Sequence, residues 1–228
     1  MDDLIKAQKL AAWTEAAQRI AHEIKNPLTP IRLAAERLRV KHREGAPEIG
    51  ELLEESVATI VREVGKMQAL VDEFSRYARM PGPQLAATAI EGLVSEVVAL
   101  YRDVKPGVAI RTELAPGIGE VWVDPEQLRR VLINLLDNAL EATEPPGDVA
   151  VRGERRGERL ILEVADEGSG IATEDRGKLF LPFFSRKKRG TGMGLAIVHR
   201  IVSDHNGAIR VADNLPRGTV FTIELPAR

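Results

Sequence analysis

One histidine of this chain lies beside a carboxylate on a predicted helix. The stretch IAHEIKNPLTPI covers residues 20–31 and contains His22 and Glu23. At about 100° per residue, His22 lies across the helix from Ile20 and Ile24, so its imidazole is expected in solvent. An exposed imidazole next to a carboxylate can act as a nucleophile, because the carboxylate draws off its proton. An ordinary solvated histidine is the alternative that the spacing alone leaves open.

Two more residues extend this candidate site. Asn26 lies one helical turn beyond His22, so the two side chains are expected on the same face. Pro27 lacks the backbone N–H that a helix interior needs, and it predicts a bend just past the histidine. A metal site is a poor interpretation, because H-E-x-x-N lacks the second histidine of the zinc motif H-E-x-x-H.

A pair of asparagines forms a second candidate site. Asn134 and Asn138 lie four residues apart on a helix predicted over residues 125–142. Asp124 and the proline that follows it are a typical helix start, with Gln127 at the third helical position. The two carboxamides lie at the margin of an apolar stripe. There they can present oxygens to a hard cation, or they can cap neighbouring backbone groups.

Two glycine clusters follow. DEGSGI, residues 166–171, ends a predicted strand, and its glycines let the backbone approach a flat ligand while Asp166 accepts a hydrogen bond from an amino group. GTGMGL, residues 190–195, opens a predicted helix, whose free amides and dipole favour phosphate. Each cluster alone is weak evidence, and the second lacks the lysine of a P-loop.

The segment between the glycine clusters is aromatic and then basic. LFLPFFSRKKR covers residues 179–189. Its aromatic residues could anchor a lid, and the cations from Arg186 to Arg189, Lys187 among them, could neutralise phosphate. Charges on a loop are equally compatible with simple solvation.

The first part of the chain reads as a helical hairpin. Apolar residues recur at steps of three and four from Leu10 to Leu38 and from Ile49 to Ala78, and HREGAPE, residues 42–48, predicts the turn between them. One hairpin leaves apolar surface in water. A four-helix bundle formed by a homodimer is therefore the predicted architecture.

The second part reads as a two-layer α/β sandwich. Proline and glycine in RMPGPQ, residues 79–84, stop any helix and predict a linker. We expect a helical dimerisation domain at 1–79, a linker at 80–85 and an α/β domain at 86–228. Helices are predicted in EGLVSEVVALYRD, at 125–142 and in LAIVHRIVSDHN, and strands in VAIRTEL, VWVD, VAVRGER, RLILEVADE, AIRVAD and GTVFTIELP.

Charge, cysteine content and hydropathy argue against several classes of binding function. Among 228 residues the net charge is −2 and there is no cysteine, so neither nucleic-acid binding nor a thiolate metal site is expected. No apolar run approaches the ~18 residues of a membrane span, and MDDLIKAQKL lacks the charge order of a secretory signal. We therefore expect a soluble, cytoplasmic chain without membrane contact of its own, which could be the cytoplasmic part of a membrane protein.

In series these motifs resemble a known family. IAHEIKNPLTPI looks like the phospho-acceptor box of sensor histidine kinases with a HisKA-type dimerisation domain. The wider stretch AAWTEAAQRIAHEIKNPLTPIRLAAERLR is similar to their nitrogen-regulation group, the NtrY-like members in particular. NLLDNA, DEGSG, LFLPFF and GTGMGL resemble the N, G1, F and G2 boxes of the GHKL, or Bergerat-type, ATP-binding domain.

The resemblance implies a function for each box. His22 would accept the γ-phosphoryl group of ATP, Glu23 would assist as base, and Asn26 would orient water in a reverse, phosphatase reaction. The phosphoryl group would pass to an aspartate on the receiver domain of a response regulator. Asn138 would ligate Mg²⁺, and Asp166 would read the adenine amino group. The remaining nucleotide-binding residues implied are Asn134, Gly168, Gly170, Lys187, Gly190, Thr191, Gly192, Gly194 and Leu195.

Two other classes stay open. A GHKL ATPase of the gyrase or chaperone kind uses a carboxylate to activate water where this chain has Asn134, and an amide cannot act as that base. A catalytically degenerate dimer module is the other class. Glu141, at a position where many relatives have lysine, leaves room for it.

Overall fold

The computed structural model describes residues 24–45, 49–186 and 191–227. The chain divides into two compact units. One consists of the chain up to Met80 together with Leu181–Met193, and the other of Pro81–Phe180 with Gly194–Arg228. Within the described ranges, no helix combines the length and apolar character that crossing a bilayer requires.

The first unit contains the predicted helical hairpin. Helix α1 covers residues 24–43 and continues through Pro27 and Pro30, and helix α2 spans Ile49–Ala78. The two helices run antiparallel, and an ion pair of 3.9 Å between Arg37 and Glu55 joins them. Gly45, at a φ of 63°, lies in the turn after α1. Residues 46–48 of the predicted turn lie outside the described residues.

Helix α2 has two apolar faces instead of the single predicted stripe. Ser56 is buried, and Met67 and Phe74 are partly buried on the same side of the helix. Leu53 and Val71 lie on another side, 49% and 51% exposed. Apolar residues at steps of three and four do not show whether a face packs within the hairpin or is covered by a second copy. The sequence analysis therefore assigned both faces to one stripe. The exposed strip consists of Leu53, Val57, Val64 and Val71.

The second unit is built on a five-stranded mixed sheet with the strand order β2-β4-β5-β7-β6. Strands β2 and β4 are parallel, and the other neighbours are antiparallel. A separate antiparallel ribbon pairs β1 with β3. The strands are β1 Ala86–Ala89, β2 Val108–Leu114, β3 Glu120–Val123, β4 Gly147–Arg156, β5 Arg159–Asp166, β6 Ala208–Asp213 and β7 Thr219–Pro226.

Three helices cover the sheet. Helices α3 (Ile90–Ala99), α4 (Pro125–Ala142) and α6 (Gly194–Asp204) pack on the strands and on one another, while α5 is the short helix Thr173–Arg176. This layer of helices on a mixed sheet confirms the predicted two-layer α/β sandwich. Its core is aliphatic, and its largest fully buried side chains include Leu132, Leu135, Leu136, Leu160, Leu162, Ile197, Ile201 and Ile223.

Some element boundaries differ from the predictions. Helix α3 ends at Ala99, whereas the sequence predicted helix as far as Asp103. Asp103 has a φ of 63°, a left-handed conformation that a helix cannot contain. Strand β1 and helix α5 were not predicted, because AATA and TEDR are too short for a periodic signal.

Candidate nucleotide-binding site

Helix α4 begins as its sequence predicts. The Asp124 carboxylate accepts a hydrogen bond of 3.0 Å from the Gln127 backbone N–H, and proline follows at the first helical position. The helix buries a stripe of seven aliphatic residues against the sheet and its neighbours. Asn134 and Asn138 lie half-buried beside this stripe, so both amides are at the edge of the core.

The amide of Asn134 has a defined orientation. Its Nδ2 donates a hydrogen bond of 2.7 Å to the Arg130 carbonyl oxygen, which turns Oδ1 away from the helix backbone. A Cβ atom built on Gly194 would lie 2.7 Å from that Oδ1. Gly194 is the first residue of α6. Asn134 and the start of α6 are therefore adjacent, and any side chain at position 194 would displace the Asn134 amide.

Asp166, at the end of β5, is also held in one orientation. It is 3% exposed, and its Oδ1 accepts backbone hydrogen bonds from Gly168 at 2.8 Å and Thr219 at 3.2 Å. Gly168 packs against the end of α4, where a Cβ atom would lie 2.6 Å from the Ala142 carbonyl oxygen. Gly170 has a φ of 74°, in the region that favours glycine. Both predicted glycines are thus required by the backbone.

A turn that the sequence did not single out supports this loop. Between β6 and β7, the Asn214 side chain donates to the Asp166 carbonyl oxygen at 2.9 Å, and Arg217 Nε donates to the Glu167 carbonyl oxygen at 2.8 Å. Gly218, at a φ of 112°, passes so close to Asp166 that a Cβ atom cannot be accommodated. The letters N-L-P-R-G predict a turn, but not what the turn contacts.

The segment Leu181–Met193 belongs with the helical unit. Gly192 has a φ of 69°, and a Cβ atom there would lie 2.7 Å from the backbone of Phe183. Thr191 Oγ1 accepts a hydrogen bond of 3.4 Å from the Met193 amide, and Met193 is fully buried. Lys187 and Gly190 lie outside the described residues.

Two further side chains lie near the glycine segments of the second unit. Leu195, in the first turn of α6, is half-buried. The His199 ring, one turn further, is tilted by 34° against Phe180 with ring centroids 5.4 Å apart, and partial desolvation lowers the pKa of its imidazole. Glu141, where many relatives have lysine, lies exposed near the end of α4.

The phospho-acceptor stretch is described only in part. His22 and Glu23 lie outside the described residues. Asn26 is exposed on α1, Pro27 is buried, and Thr29 Oγ1 donates a hydrogen bond of 3.2 Å to the Lys25 carbonyl oxygen. The predicted exposure of the imidazole and the predicted bend at Pro27 stay predictions.

Comparisons with known proteins match both parts of the chain. Residues 12–83 match the family described as the His Kinase A (phospho-acceptor) domain. Residues 123–228 match the histidine kinase-, DNA gyrase B- and HSP90-like ATPase family. The described geometry and these matches define an ATP-binding domain joined to a helical phospho-acceptor domain.

Curated relatives carry sensor-kinase names. Nitrogen regulation protein NtrY of Azorhizobium caulinodans is 39% identical over 98% of this chain and 30% of its own length. A putative NtrY-like sensor histidine kinase of Rickettsia felis is 34% identical over 97% of this chain and 37% of its own length. The chain thus spans about a third of the length of these relatives.

Solved structures of histidine kinases also align with this chain. The histidine kinase ThkA, in complex with response regulator protein TrrA, aligns with a TM-score of 0.75 at 28% identity, covering 97% of this chain and 64% of that one. The mycobacterial sensor histidine kinase MprB aligns at 0.58 and 31% identity, covering 63% of this chain and 98% of that one. The chain belongs to the sensor histidine kinase family, and its resemblance to the NtrY-like group is confirmed.

Proposed function

We propose that this chain is the catalytic core of a two-component sensor histidine kinase. It uses ATP to phosphorylate His22 and then transfers the phosphoryl group to an aspartate on the receiver domain of a response regulator. One observation carries the proposal above the others. A phospho-acceptor domain is followed, in the same chain, by an ATPase-type unit in which Asn134 and the start of α6 are adjacent.

The adenine and phosphate contacts described above are assigned to the second unit. The fixed carboxylate of Asp166 is suited to the adenine amino group, with Gly168 and Gly170 allowing the base to approach. Asn134 and the α6 N-terminus at Gly194 and Leu195 are suited to phosphate oxygens. The remaining nucleotide contacts are assigned to Lys187, Gly190, Thr191 and Gly192.

The amide oxygen of Asn138 is assigned to Mg²⁺. Amide oxygens are among the ligands that this cation accepts, and it usually binds through few protein groups plus the phosphates themselves. The asparagine lies at the margin of the core beside a phosphate site, which fits this arrangement. When bound, Mg²⁺ would offset charge on the triphosphate.

The chemical step exchanges one bond for another. A ring nitrogen of His22 forms a bond to the γ-phosphorus while the bond to the β–γ bridging oxygen breaks, and ADP leaves with that electron pair. Glu23 accepts the proton that the other ring nitrogen releases. The phosphoryl group then passes from nitrogen to a carboxylate oxygen of the regulator. Asn26, exposed on α1, is assigned to orienting water in the phosphatase reaction.

Domain extents and assembly follow from the same proposal. The phospho-acceptor and dimerisation domain occupies residues 1–79, the linker 80–85 and the catalytic domain 86–228. A homodimer is supported by the exposed strip on α2, which a second hairpin would cover. The kinase acts in the cytoplasm, where ATP is available, and the sensor names of its relatives favour a cytoplasmic part of a membrane-bound sensor.

Labelling with γ-labelled ATP tests the function. We expect the chain to acquire an acid-labile, base-stable adduct that His22→Gln abolishes. His42→Gln is the matched control, because His42 is an exposed histidine of α1, and this variant should label like the wild type.

Other results would contradict the assignment. Label that survives His22→Gln excludes this acceptor. Steady phosphate release without a phosphoprotein would instead favour the ATPase class, and nucleotide binding without transfer would favour the degenerate module. Transfer of label from the wild type to purified response regulators identifies the partner.

A further inference from the structure

A small network of hydrogen bonds fastens the segment after α2 to the start of α4. It consists of Pro81, Gln84, Asp124, Gln127 and His205, and we call it the linker clasp. All five residues lie in the second unit.

Asp124 is the centre of the clasp. Its Oδ1 caps α4, and its Oδ2 accepts a hydrogen bond of 2.8 Å from the Gln84 backbone N–H. Its own backbone N–H donates to Nε2 of His205 at 3.0 Å. Asp124 is 8% exposed; its bond to His205 is buried, and its bonds to Gln84 and Gln127 are partly buried. One carboxylate thus holds both a helix end and the linker.

Gln127 does not complete a capping box. In that motif the side chain at the third helical position reaches back to the N-cap amide, but here His205 occupies that amide. The Gln127 side chain instead donates from Nε2 to the Pro81 carbonyl oxygen at 3.3 Å. Among the described residues, its buried Oε1 has no hydrogen-bond partner. A buried acceptor without a partner costs stability, so the Gln127 side chain contributes less to the stability of the fold than a complete capping box would.

His205 holds Asp124 from the other side. The ring is 7% exposed, and its Nδ1 lies 2.8 Å from the Ile201 carbonyl oxygen. Since Nε2 accepts from Asp124, the proton is on Nδ1, which donates to that carbonyl. The end of α6 is therefore tied to the start of α4 through the residue that also binds the linker.

The clasp leaves almost no free linker. The last backbone hydrogen bond after α2 is donated by the Met80 amide to Tyr77, at 3.4 Å. The first bond of the clasp is to the carbonyl oxygen of the next residue, Pro81. Releasing the clasp would add residues 81–84 to the mobile connection. Four extended residues reach about 13 Å.

We infer that the linker clasp sets how far the ATP-binding unit can travel to His22, with Asp124, Gln127 and His205 as positioning residues for phosphoryl transfer. This inference rests on the proposed kinase function. Closed, the clasp ties residues 81–84 to the helix that presents Asn134. Open, it lengthens the connection and lets the nucleotide approach the histidine. The clasp therefore acts on the transfer step and leaves nucleotide binding alone.

Two variants open the clasp without removing the helix cap. In Asp124→Asn, the amide oxygen can still accept the capping hydrogen bond from the Gln127 backbone N–H. The amide NH₂ then faces the Gln84 backbone N–H, and the bond to Gln84 is lost because both groups are donors. Gln127→Met keeps the length of the side chain, loses the bond to Pro81 and also removes the unpartnered Oε1. Glu126→Gln is the matched control, because its side chain is 80% exposed on the same helical turn.

The whole chain is assayed for three quantities: autophosphorylation rate at saturating ATP with Mg²⁺, ATP affinity, and hydrogen exchange at the Gln84 amide. We expect both variants to autophosphorylate about fivefold faster, the factor that one net hydrogen bond provides. ATP affinity should be unchanged, and the Gln84 amide, protected in the wild type, should exchange faster in Asp124→Asn. Glu126→Gln should match the wild type in all three.

Several outcomes overturn the inference. Faster exchange at Gln84 with an unchanged or lower rate means that the clasp does not limit transfer. A parallel loss of ATP affinity means that it only supports the nucleotide site. A Gln84 amide that is unprotected in the wild type, or unaffected by Asp124→Asn, means that the bond does not hold the linker. By contrast, a wild type that never labels His22 refutes the kinase function itself.

Discussion

Replacing Gly194 by alanine should separate nucleotide affinity from stability. The new methyl group would lie 2.7 Å from Asn134 Oδ1, well inside the 3.4 Å at which ordinary contacts begin. The backbone of α6 is packed on the sheet, so the amide of Asn134 must rotate instead. Its bond to the Arg130 carbonyl oxygen is then lost, and its Oδ1 leaves the position from which it is proposed to act.

The stability effects of this substitution nearly cancel. Loss of one neutral hydrogen bond costs about 1 kcal/mol. Alanine in place of glycine returns up to about 1 kcal/mol in a helix interior and less at the first helical position, where Gly194 lies. We therefore expect a melting temperature within about 3 °C of the wild type. Thermal unfolding should therefore show little effect of Gly194→Ala.

Nucleotide affinity should fall instead. A hydrogen bond to a charged group is worth about 1.5–3 kcal/mol, so a displaced Asn134 should weaken ATP binding by about 10- to 100-fold. Calorimetric titration with ATP and Mg²⁺ measures this, alongside thermal unfolding. Gly92→Ala is the matched control, because a Cβ atom on this α3 glycine meets open space. It should keep wild-type affinity.

A double-mutant cycle tests the reasoning further. In an Asn134→Ala background no amide remains for the methyl group to displace, so Gly194→Ala should cost no further affinity. Wild-type ATP affinity in Gly194→Ala would refute the assignment of Asn134 to the phosphates. Additive losses in the double variant would show that the methyl group acts by another route.

Two more predictions concern assembly and pH. Val64→Asp, in the exposed strip of α2, should convert the dimer to a monomer in analytical ultracentrifugation. The control Ala58→Asp, on another exposed face of α2, should leave the protein dimeric. If Val64→Asp is still a dimer, the interface lies elsewhere. Burial, together with a hydrogen bond of 2.7 Å to Asp137, raises the pKa of Tyr101 above its usual value of 10.0. The folded state thus keeps the phenol neutral, so the contribution of Tyr101 to the free energy of unfolding is complete below pH 10 and declines as the pH rises further. In urea unfolding at pH 9 and 11, Tyr101→Phe should lose less stability between the two pH values than the wild type. An equal loss in both proteins would contradict the assignment of this decline to Tyr101.

The sequence predicted the bounds of helices and strands best where capping or turn residues lie at their ends. Helix α4 begins and ends as predicted, because an aspartate followed by proline caps its start and the aliphatic stripe ends with it. Strands β2 and β6 also have their predicted bounds, since β-branched residues alternate between turns. Strand β1 was missed because alanines and one threonine acquire strand structure only by pairing with β3.

The contacts of the site depend on residues far apart in the chain. Asp124 was recognised as a helix cap, but its bond to Gln84 spans 40 residues and its bond to His205 spans 81. Likewise, Asn134 and Gly194 were each chosen from a local motif. Periodicity and turn chemistry report neighbours within a few positions, so they identify such residues without saying which of them meet.

Sheet register connects these separate segments. Asp166 is paired with Val149 on β4 and with Thr219 on β7, and the Thr219 amide holds its carboxylate. A slip of one residue would turn Asp166 to the other face of the sheet. Strand β5 lies in the middle of the sheet and is buried along most of its length, so the apolar core opposes such a slip. The packing of β5 thus fixes the direction in which the Asp166 carboxylate, proposed to read adenine, points, although none of the aliphatic side chains of β5 has to touch the nucleotide.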